Sequence, residues 1–152
     1  MKNFIVIIGF LICSLVSFSQ ATEAADGLYH DAQGNLYTGE VSGFFDNGQV
    51  RMKSQIVNGA AEGVVMFYNE GGWLEETGSY ITGKKHGLWN QFNNKGVKVG
   101  EATYSAGLKD GVWTVWDDNH VKRYHMVYSK GKKIDVWKMW DENSNLVSER
   151  VY

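Results

Sequence analysis

The amino-acid sequence repeats itself every 24 residues, without a gap, from Gly39 to the last residue. Two columns of glycine carry the period: Gly59, Gly83, Gly107 and Gly131, and Gly39, Gly63, Gly87 and Gly111. Three columns of aromatic residues have the same spacing: Trp89, Trp113 and Trp137; Phe44, Tyr68, Phe92, Trp116 and Trp140; Tyr80, Tyr104, Tyr128 and Tyr152. A unit of this length is too short to be a domain. The period therefore indicates an array in which each unit is stabilised mainly by its neighbours.

The period divides the chain into a lead-in and five units. The lead-in covers residues 22–38, and the units cover 39–62, 63–86, 87–110, 111–134 and, truncated, 135–152. No unit has apolar residues at helical spacing. In the third unit, a strand at 88–92 precedes a turn signal at 93–96, a second strand at 99–104 and a connecting loop at 105–110. The sequence predicts an all-β fold, an elongated single-layer antiparallel meander of stacked β-hairpins with about ten strands.

The repeats also predict a strand register. If a tyrosine faces the glycine across the connecting loop, aromatic residues meet small ones in every unit, which leaves each ring space to lie flat. The predicted pairs are Tyr104 with Gly111, Ala102 with Trp113, Tyr80 with Gly87, Gly78 with Trp89, Ile56 with Gly63, and Ser54 with Val65.

The first 21 residues have the pattern of a secretory leader. Lys2 precedes an apolar run from Phe4 to Phe18, and small residues follow. The run is shorter than the roughly 20 residues of a membrane-spanning helix, so we expect cleavage after Ser19 or Ala21 rather than an uncleaved anchor. The protein is then exported to the periplasm, the cell surface or the medium. Cys13 lies inside the run, and the large Ile12 before it disfavours a lipoprotein.

Charge and motifs exclude several function classes. The 15 basic and 17 acidic residues give a net charge of -2, which argues against a nucleic-acid binder. The histidines have no metal-ligand spacing, and no nucleophile or phosphate-loop motif is present. The four histidines are His30, His86, His120 and His125. We therefore expect no enzyme activity, no metal and no cofactor.

Two strings in successive units, residues 78–89 and 102–113, resemble the bacterial variant of the MORN repeat, whose name stands for membrane occupation and recognition nexus. The resemblance extends over about residues 27–152. It implies a twisted sheet that serves as a binding or assembly platform, and bacterial members are often labelled antitoxin components of toxin–antitoxin systems. Near the end Asp135, His120, Ser144 and Arg150 depart from the pattern, which indicates a capping unit.

Two groups of side chains are candidate contact residues. The aromatic stripe consists of Tyr80, Trp89, Tyr104, Trp113, Tyr128 and Trp137. The basic side, in the predicted connecting loops, consists of Lys84, Lys85, Lys109, Lys130, Lys132 and Lys133. The opposite turns are rich in Asp and Asn, although both residues also favour turns for backbone reasons. The rings could equally serve stability alone.

The prediction for function is an exported, non-catalytic scaffold that binds another protein at the bacterial envelope. Three alternatives remain open: an antitoxin-like member of a toxin–antitoxin or effector–immunity pair, a module for anionic lipid surfaces, and a glycan binder. The sequence leaves the partner and the oligomeric state undetermined.

Overall fold

The computed structural model describes residues 21–152, and its strands form two antiparallel sheets. The predicted leader up to residue 20, including Cys13, lies outside the described residues. The small sheet pairs β1 (Thr22–Glu23) with β2 (Tyr29–His30). The large sheet contains ten strands: β3 (Gly39–Phe44), β4 (Val50–Val57), β5 (Ala60–Tyr68), β6 (Leu74–Ile81), β7 (Lys84–Phe92), β8 (Lys98–Ser105), β9 (Leu108–Trp116), β10 (Lys122–Ser129), β11 (Lys132–Trp140) and β12 (Leu146–Val151).

Every strand of the large sheet pairs with its neighbours in chain order, from β3 at one edge to β12 at the other. This arrangement is the predicted all-β meander of stacked hairpins in one layer, and it confirms the fold class. The two-stranded sheet in the lead-in was not predicted. Within residues 21–152 there is no helix with the length and apolar character that crossing a bilayer requires.

The turns at the two long sides of the sheet differ in length, and here the predicted connecting loops were wrong. The segment 105–110 is not a loop, because β8 continues to Ser105 and β9 begins at Leu108. Its turn consists of Ala106 and Gly107, with φ of 49° and 86°. Two successive positive φ angles define the hairpin turn whose twist matches that of its strands. The turns at 58–59, 82–83 and 130–131 have the same signs of φ.

These two-residue turns also connect successive units. The amide of Gly107 donates to the carbonyl of Lys85 at 2.8 Å, and the amide of Gly131 donates to the carbonyl of Lys109 at the same distance. At the other long side, five-residue loops at 45–49, 69–73, 93–97, 117–121 and 141–145 join the strands. The predicted turn at 93–96 lies inside one of them.

The predicted register is correct in the middle of the strands and wrong near the two-residue turns. Ala102 pairs with Trp113, and Ser54 pairs with Val65, as predicted. Tyr104 pairs with Lys109 across the two-residue turn instead of Gly111. The reason is a β-bulge in which Gly111 has a φ of 102°. A bulge adds residues to one strand and shifts all later pairs.

The same correction applies to the earlier units. Tyr80 pairs with Lys85 rather than Gly87, and Ile56 pairs with Ala61 rather than Gly63. The bulge glycines face the aromatic column on their other side, in the pairs Gly63–Tyr80, Gly87–Tyr104 and Gly111–Tyr128. Gly78 lies against Trp89 as predicted, since a Cβ at this glycine would overlap the indole ring.

Side-chain alternation gives the large sheet two distinct faces. We name the ladder face after the rings that lie on it, which include Trp89 and Trp113, and we call the opposite side the reverse face. The lead-in packs onto the ladder face at the N-terminal end of the sheet. The amide of Tyr29 donates to the carbonyl of Gly59 at 2.8 Å. Beneath the lead-in, Ile56 and Val65 are 0% and 1% exposed.

Candidate functional site

A continuous row of rings crosses the ladder face from β6 to the last residue. Neighbouring ring centroids are 4.8–6.0 Å apart, and the first pair, Tyr80 and Trp89, meets edge to face. We call this row the aromatic ladder: Tyr80, Trp89, Tyr104, Trp113, Tyr128, Trp137 and Tyr152. It contains all six residues of the predicted aromatic stripe. The structure thus brings together rings that are far apart in the sequence.

The bulges explain how each indole is held. A bulge interrupts the ladder of backbone hydrogen bonds and leaves a carbonyl available. The indole Nε1 of Trp89 donates to the carbonyl of Ser79 at 3.2 Å. The indoles of Trp113 and Trp137 donate to Thr103 and Val127 at 3.1 Å and 3.0 Å. Each ring therefore satisfies the polar group that the bulge disrupts.

Three lysines of the predicted basic side lie over the aromatic ladder. The ammonium groups of Lys85, Lys109 and Lys133 are 3.6 Å, 4.2 Å and 4.4 Å from the centroids of successive tryptophan rings. Lys85 also pairs with Glu76 at 3.3 Å. Cation–π contacts of this kind are worth about 0.5–1 kcal/mol at exposed sites. These lysines lie in strands, and they cover the rings rather than project from a loop.

The rest of the predicted basic side is distributed differently. Lys84 and Lys132 are exposed at the ends of β7 and β11, where those strands leave the two-residue turns. Lys130 is exposed and belongs to a turn itself. The six basic residues therefore form two sets. Three contact rings, although Lys133 among them is also exposed, and the other three are exposed at the two-residue turns. Their role in binding an anionic partner stays a prediction.

Most of the ring surface is occupied by neighbouring side chains. Trp89 and Tyr128 are 1% and 8% exposed, whereas Tyr152 at the end of the ladder is 40% exposed. Burial in this environment raises the pKa of the Tyr80 and Tyr104 hydroxyls, and the nearby Glu76 carboxylate raises it further. The aromatic ladder thus forms the core of a one-layer sheet. Its role as a contact surface remains a prediction.

The reverse face carries an exposed apolar row that the sequence analysis did not identify. We call it the aliphatic stripe: Val64, Leu88, Val112, Ile134 and Val151, whose exposed fractions range from 38% to 74%. Val127 pairs with both Val112 and Ile134, so the row is contiguous toward the C-terminus. The 24-residue spacing of Val64, Leu88 and Val112 was the signal that could have revealed it. Val64, Leu88 and Val112 each follow a bulge glycine directly.

The five-residue loops have a repeated internal geometry. In the four loops at 69–73, 93–97, 117–121 and 141–145, a side-chain oxygen at the first position accepts two backbone N–H groups. Asn93 Oδ1 accepts them from Lys95 and Val97 at 2.9 Å and 3.0 Å, and Asp117 does the same for Asn119 and Val121 at 3.0 Å. The bond from Val121 is the largest cause that lowers the pKa of Asp117. These residues have a turn-forming role, as the alternative interpretation predicted.

Two of the four histidines make specific contacts. His30 Nε2 lies 3.0 Å from Asp26 Oδ2, and this hydrogen bond raises the pKa of the imidazole. The ring of His120 stacks on Trp116 at 5.3 Å. Within residues 21–152, no three His, Cys, Asp or Glu side chains converge into a possible metal site.

A cavity of about 520 Å³ lies between the lead-in and the ladder face. Its apolar lining includes Leu28 of the lead-in and Met52, Ile56, Val65 and Phe67 of the sheet. Its polar lining includes Glu23, Tyr29, Arg51, Ser54, Tyr80 and Lys84. Burial raises the pKa of the Tyr29 hydroxyl, and the carboxylate of Glu23 raises it further. The cavity lies beside Tyr80, the first residue of the aromatic ladder.

Comparison with protein families identifies the repeating unit. The model of the MORN repeat variant family matches residues 37–58 and 61–81. The chain contains repeats of the MORN variant type. Each matched segment corresponds to one hairpin, the first formed by β3 and β4 and the second by β5 and β6. No curated protein matches the chain.

The MORN hairpins continue beyond the matched residues. Strands β5, β7, β9 and β11 begin at Ala60, Lys84, Leu108 and Lys132, which are 24 residues apart. The array is a repeat scaffold of the kind that generally acts as a non-catalytic binding module. The differences among its units therefore matter more for function than their common plan.

Proposed function

We propose that this protein is an exported, non-catalytic scaffold that binds a protein partner at the bacterial envelope through the reverse face of its sheet. The observation that carries the proposal is the aliphatic stripe. Val64, Leu88 and Val112 are 59%, 49% and 45% exposed. Toward the C-terminus the row is contiguous, from Val112 through Val127 to Ile134. Contiguous apolar surface marks interaction sites in soluble proteins.

The MORN architecture supports a contact of this type. Consecutive units lie side by side in one sheet, so equivalent positions two strands apart are separated by about 10 Å. The aromatic ladder stabilises the sheet from the other face, which leaves the reverse face available. A preorganised surface loses little conformational entropy on binding.

The exposed lysines are suited to the edge of such a contact. Lys84, Lys130 and Lys132 lie at the side of the two-residue turns. Charged groups at the rim of an interface increase the association rate and the specificity more than the affinity. We therefore expect the partner to present an apolar patch with acidic residues beside it.

The test is quantitative affinity capture from an envelope extract. The double variant Leu88→Glu with Val112→Glu places two charges on the aliphatic stripe. Its matched control, Asn94→Glu with Asn119→Glu, adds the same charge in exposed loops. We expect one protein to be recovered equally by the wild type and the control, and at least about tenfold less by the stripe variant.

Equal recovery by both variants would exclude the reverse face as the contact. Circular dichroism and thermal unfolding establish beforehand that the stripe variant is folded. Binding to vesicles of anionic lipid, without recovery of a protein, would replace the proposed partner with a membrane surface.

A further inference from the structure

The last strand of the large sheet is open on one side. β12 pairs with β11, and within the described part of the chain no strand lies on its other side. All six of its residues are exposed, and Val147 and Val151 are 52% and 74% exposed. An open edge presents unpaired N–H and C=O groups to any strand that can add to it. Proteins often block such edges with proline, and this chain contains none.

The hydrogen bonds to β11 show which backbone groups of β12 point outward. The amide of Tyr152 donates to the carbonyl of Asp135 at 3.0 Å, so the Tyr152 amide points toward β11. Successive residues of a strand direct their N–H and C=O groups to opposite sides. The even-numbered residues 148 and 150 therefore also point toward β11. The odd-numbered residues present backbone groups to the open side: Val147, Glu149 and Val151.

The opposite edge of the sheet is less accessible. The amide of Phe45 donates to the carbonyl of Gln49, on the side of β4, so the even-numbered residues of β3 point outward by the same alternation. At this edge the hydroxyl of Tyr37 donates to the carbonyl of Glu40 at 3.2 Å. A side chain of the same molecule therefore already occupies one of the outward acceptors.

A second copy of β12 fits the open edge of β12. A two-fold axis perpendicular to the sheet, passing beside Glu149, places the two strands antiparallel. Glu149 then faces Glu149 of the second copy, and the N–H and C=O groups of the two residues bind each other. The outward N–H of Val151 meets the outward C=O of Val147. A shift of this register in either direction would leave some of these groups without a partner.

The side chains of the two strands are complementary except at the axis. Val151 and Val147 of the two copies cover each other and bury apolar surface that is exposed in a single copy. The two Glu149 side chains lie directly opposite, which is unfavourable for like charges. In each copy Lys138 Nζ lies 3.5 Å from Glu149 Oε2 and balances part of this charge. The pairing therefore carries one specific electrostatic cost.

We propose that the protein forms a symmetric dimer in which the β12 strands of two copies pair antiparallel and join two sheets into one. The axis is perpendicular to the sheet, so the two reverse faces lie on the same side. Val151 belongs to the aliphatic stripe, and Val147 of the second copy extends that stripe across the axis. The dimer depends on the open edge alone and does not require the protein partner proposed above.

The competing arrangement is a contact between β12 and β3 of another copy. Inside the array β10 pairs with β11, and His125 faces Lys138. The equivalent residues at the two edges of the sheet are Glu149 and Ser42. A contact of this kind is head-to-tail and does not close on itself, so the oligomers grow with concentration. It also brings no like charges together at Glu149.

The test is sedimentation velocity of the purified protein over a range of concentrations. We expect monomers and dimers without larger species, and a Kd on the order of 10 μM, because the contact of two strands is small. Glu149→Gln removes both charges at the axis and should tighten the dimer at least about threefold. Monomers alone up to about 1 mM, growing oligomers, or an unchanged Kd in Glu149→Gln would overturn the proposal.

Proline provides matched variants at the two edges. Proline lacks an N–H and is tolerated in an edge strand where that group faces solvent. We expect Val151→Pro to weaken the dimer at least about tenfold and Ser42→Pro, on the outer side of β3, to dimerise like the wild type. If circular dichroism shows that Val151→Pro is unfolded, Val151→Asp places a charge diagonally opposite Glu149 of the second copy and should weaken the dimer similarly. Wild-type affinity in a folded Val151 variant would contradict the proposed register.

Hydrogen exchange followed by NMR locates the contact in the wild type. At concentrations above the Kd, the amides of Glu149 and Val151 should exchange slowly, and they should exchange fast after dilution to monomer. The amide of Ser42 should exchange fast at both concentrations. Slow exchange of Ser42 only at high concentration, or fast exchange of Glu149 in the dimer, would overturn the proposal.

Discussion

The two ends of the sheet bury their apolar residues in different ways. At the N-terminal end, Ile56 and Val65 are aliphatic and the lead-in covers them, so that both are almost completely buried. From Tyr80 onward, rings pack against one another and lysine side chains cover them. A single-layer sheet has no second sheet to cover its apolar residues. The same repeated hairpins therefore bury them in two different ways. The difference shows that burial can come from a separate segment or from the row itself.

Trp89 lies at the junction, where the two modes of burial meet. We expect its removal to have the largest effect on the stability of the fold. Its ring contacts Tyr80, Tyr104 and Phe67, and it is 1% exposed. We expect Trp89→Ala to lower the free energy of unfolding by roughly 3–5 kcal/mol, because a large buried ring leaves a cavity. Urea denaturation followed by circular dichroism measures this loss.

The control for this prediction is Trp137→Ala at the far end of the ladder. Trp137 has the same indole hydrogen bond but is only half-buried. We expect Trp137→Ala to lower the free energy of unfolding by less, on the order of 2 kcal/mol. Equal losses would mean that the ladder is uniform and that the junction has no special role.

Much of this fold could be predicted from the sequence, since the 24-residue period specifies both the strands and their order. The register near the two-residue turns could not, because an extra residue in a bulge leaves no mark in a column of glycines. The sequence predicts Gly63, Gly87 and Gly111 as small partners of Ile56, Tyr80 and Tyr104 across the turn. Their positive φ angles show that they form the bulges.

The candidate surfaces were predicted less completely. The aromatic stripe was found because its columns are conspicuous, but alternation alone does not reveal that lysines cover the rings. The aliphatic stripe on the reverse face was missed, since its residues differ in type from unit to unit. The cavity depends on how the lead-in folds back onto Ile56, and an irregular segment has no period from which to infer such a contact.

The small residues opposite the indoles offer a second, smaller test of the junction. Gly78 lies against Trp89, and a Cβ there would overlap the ring. Ala102, one unit later, already has a Cβ between Trp89 and Trp113. We expect Gly78→Ala to cost about 1–3 kcal/mol through overpacking, as measured by urea denaturation.

The reciprocal change Ala102→Gly is the comparison. It removes a methyl group and increases backbone freedom, so we expect a loss of about 0.5–1 kcal/mol. A Gly78→Ala protein as stable as the wild type would show that the ring at the junction can move aside.

The cover at the N-terminal end can be weakened without touching the ladder. Leu28 and Tyr29 belong to the lead-in and line the cavity above Ile56. We expect the double variant Leu28→Ala, Tyr29→Ala to lower the stability of the adjacent strands by about 1–2 kcal/mol, because part of their apolar cover is lost. Hydrogen exchange should show faster opening of β4 and β5, with β9 and β10 unchanged. Uniformly faster exchange along the sheet would contradict the idea that the lead-in stabilises only the N-terminal strands.

The smallest expected effect distinguishes loops with Asp at the first position from loops with Asn. Backbone N–H groups lower the pKa of Asp117. The charged carboxylate therefore stabilises the folded loop at pH values above the ordinary Asp pKa of about 3.9. The stabilisation is lost as the pH falls through the lowered folded value. The amide signals of Asn119 and Val121 should therefore titrate below pH 3.9 in NMR spectra, whereas those of Lys95 and Val97, bound to Asn93, should not. In Asp117→Asn the oxygen acceptor remains and the titration should disappear. A midpoint at or above the ordinary Asp value would show that the loop amides do not stabilise the charge.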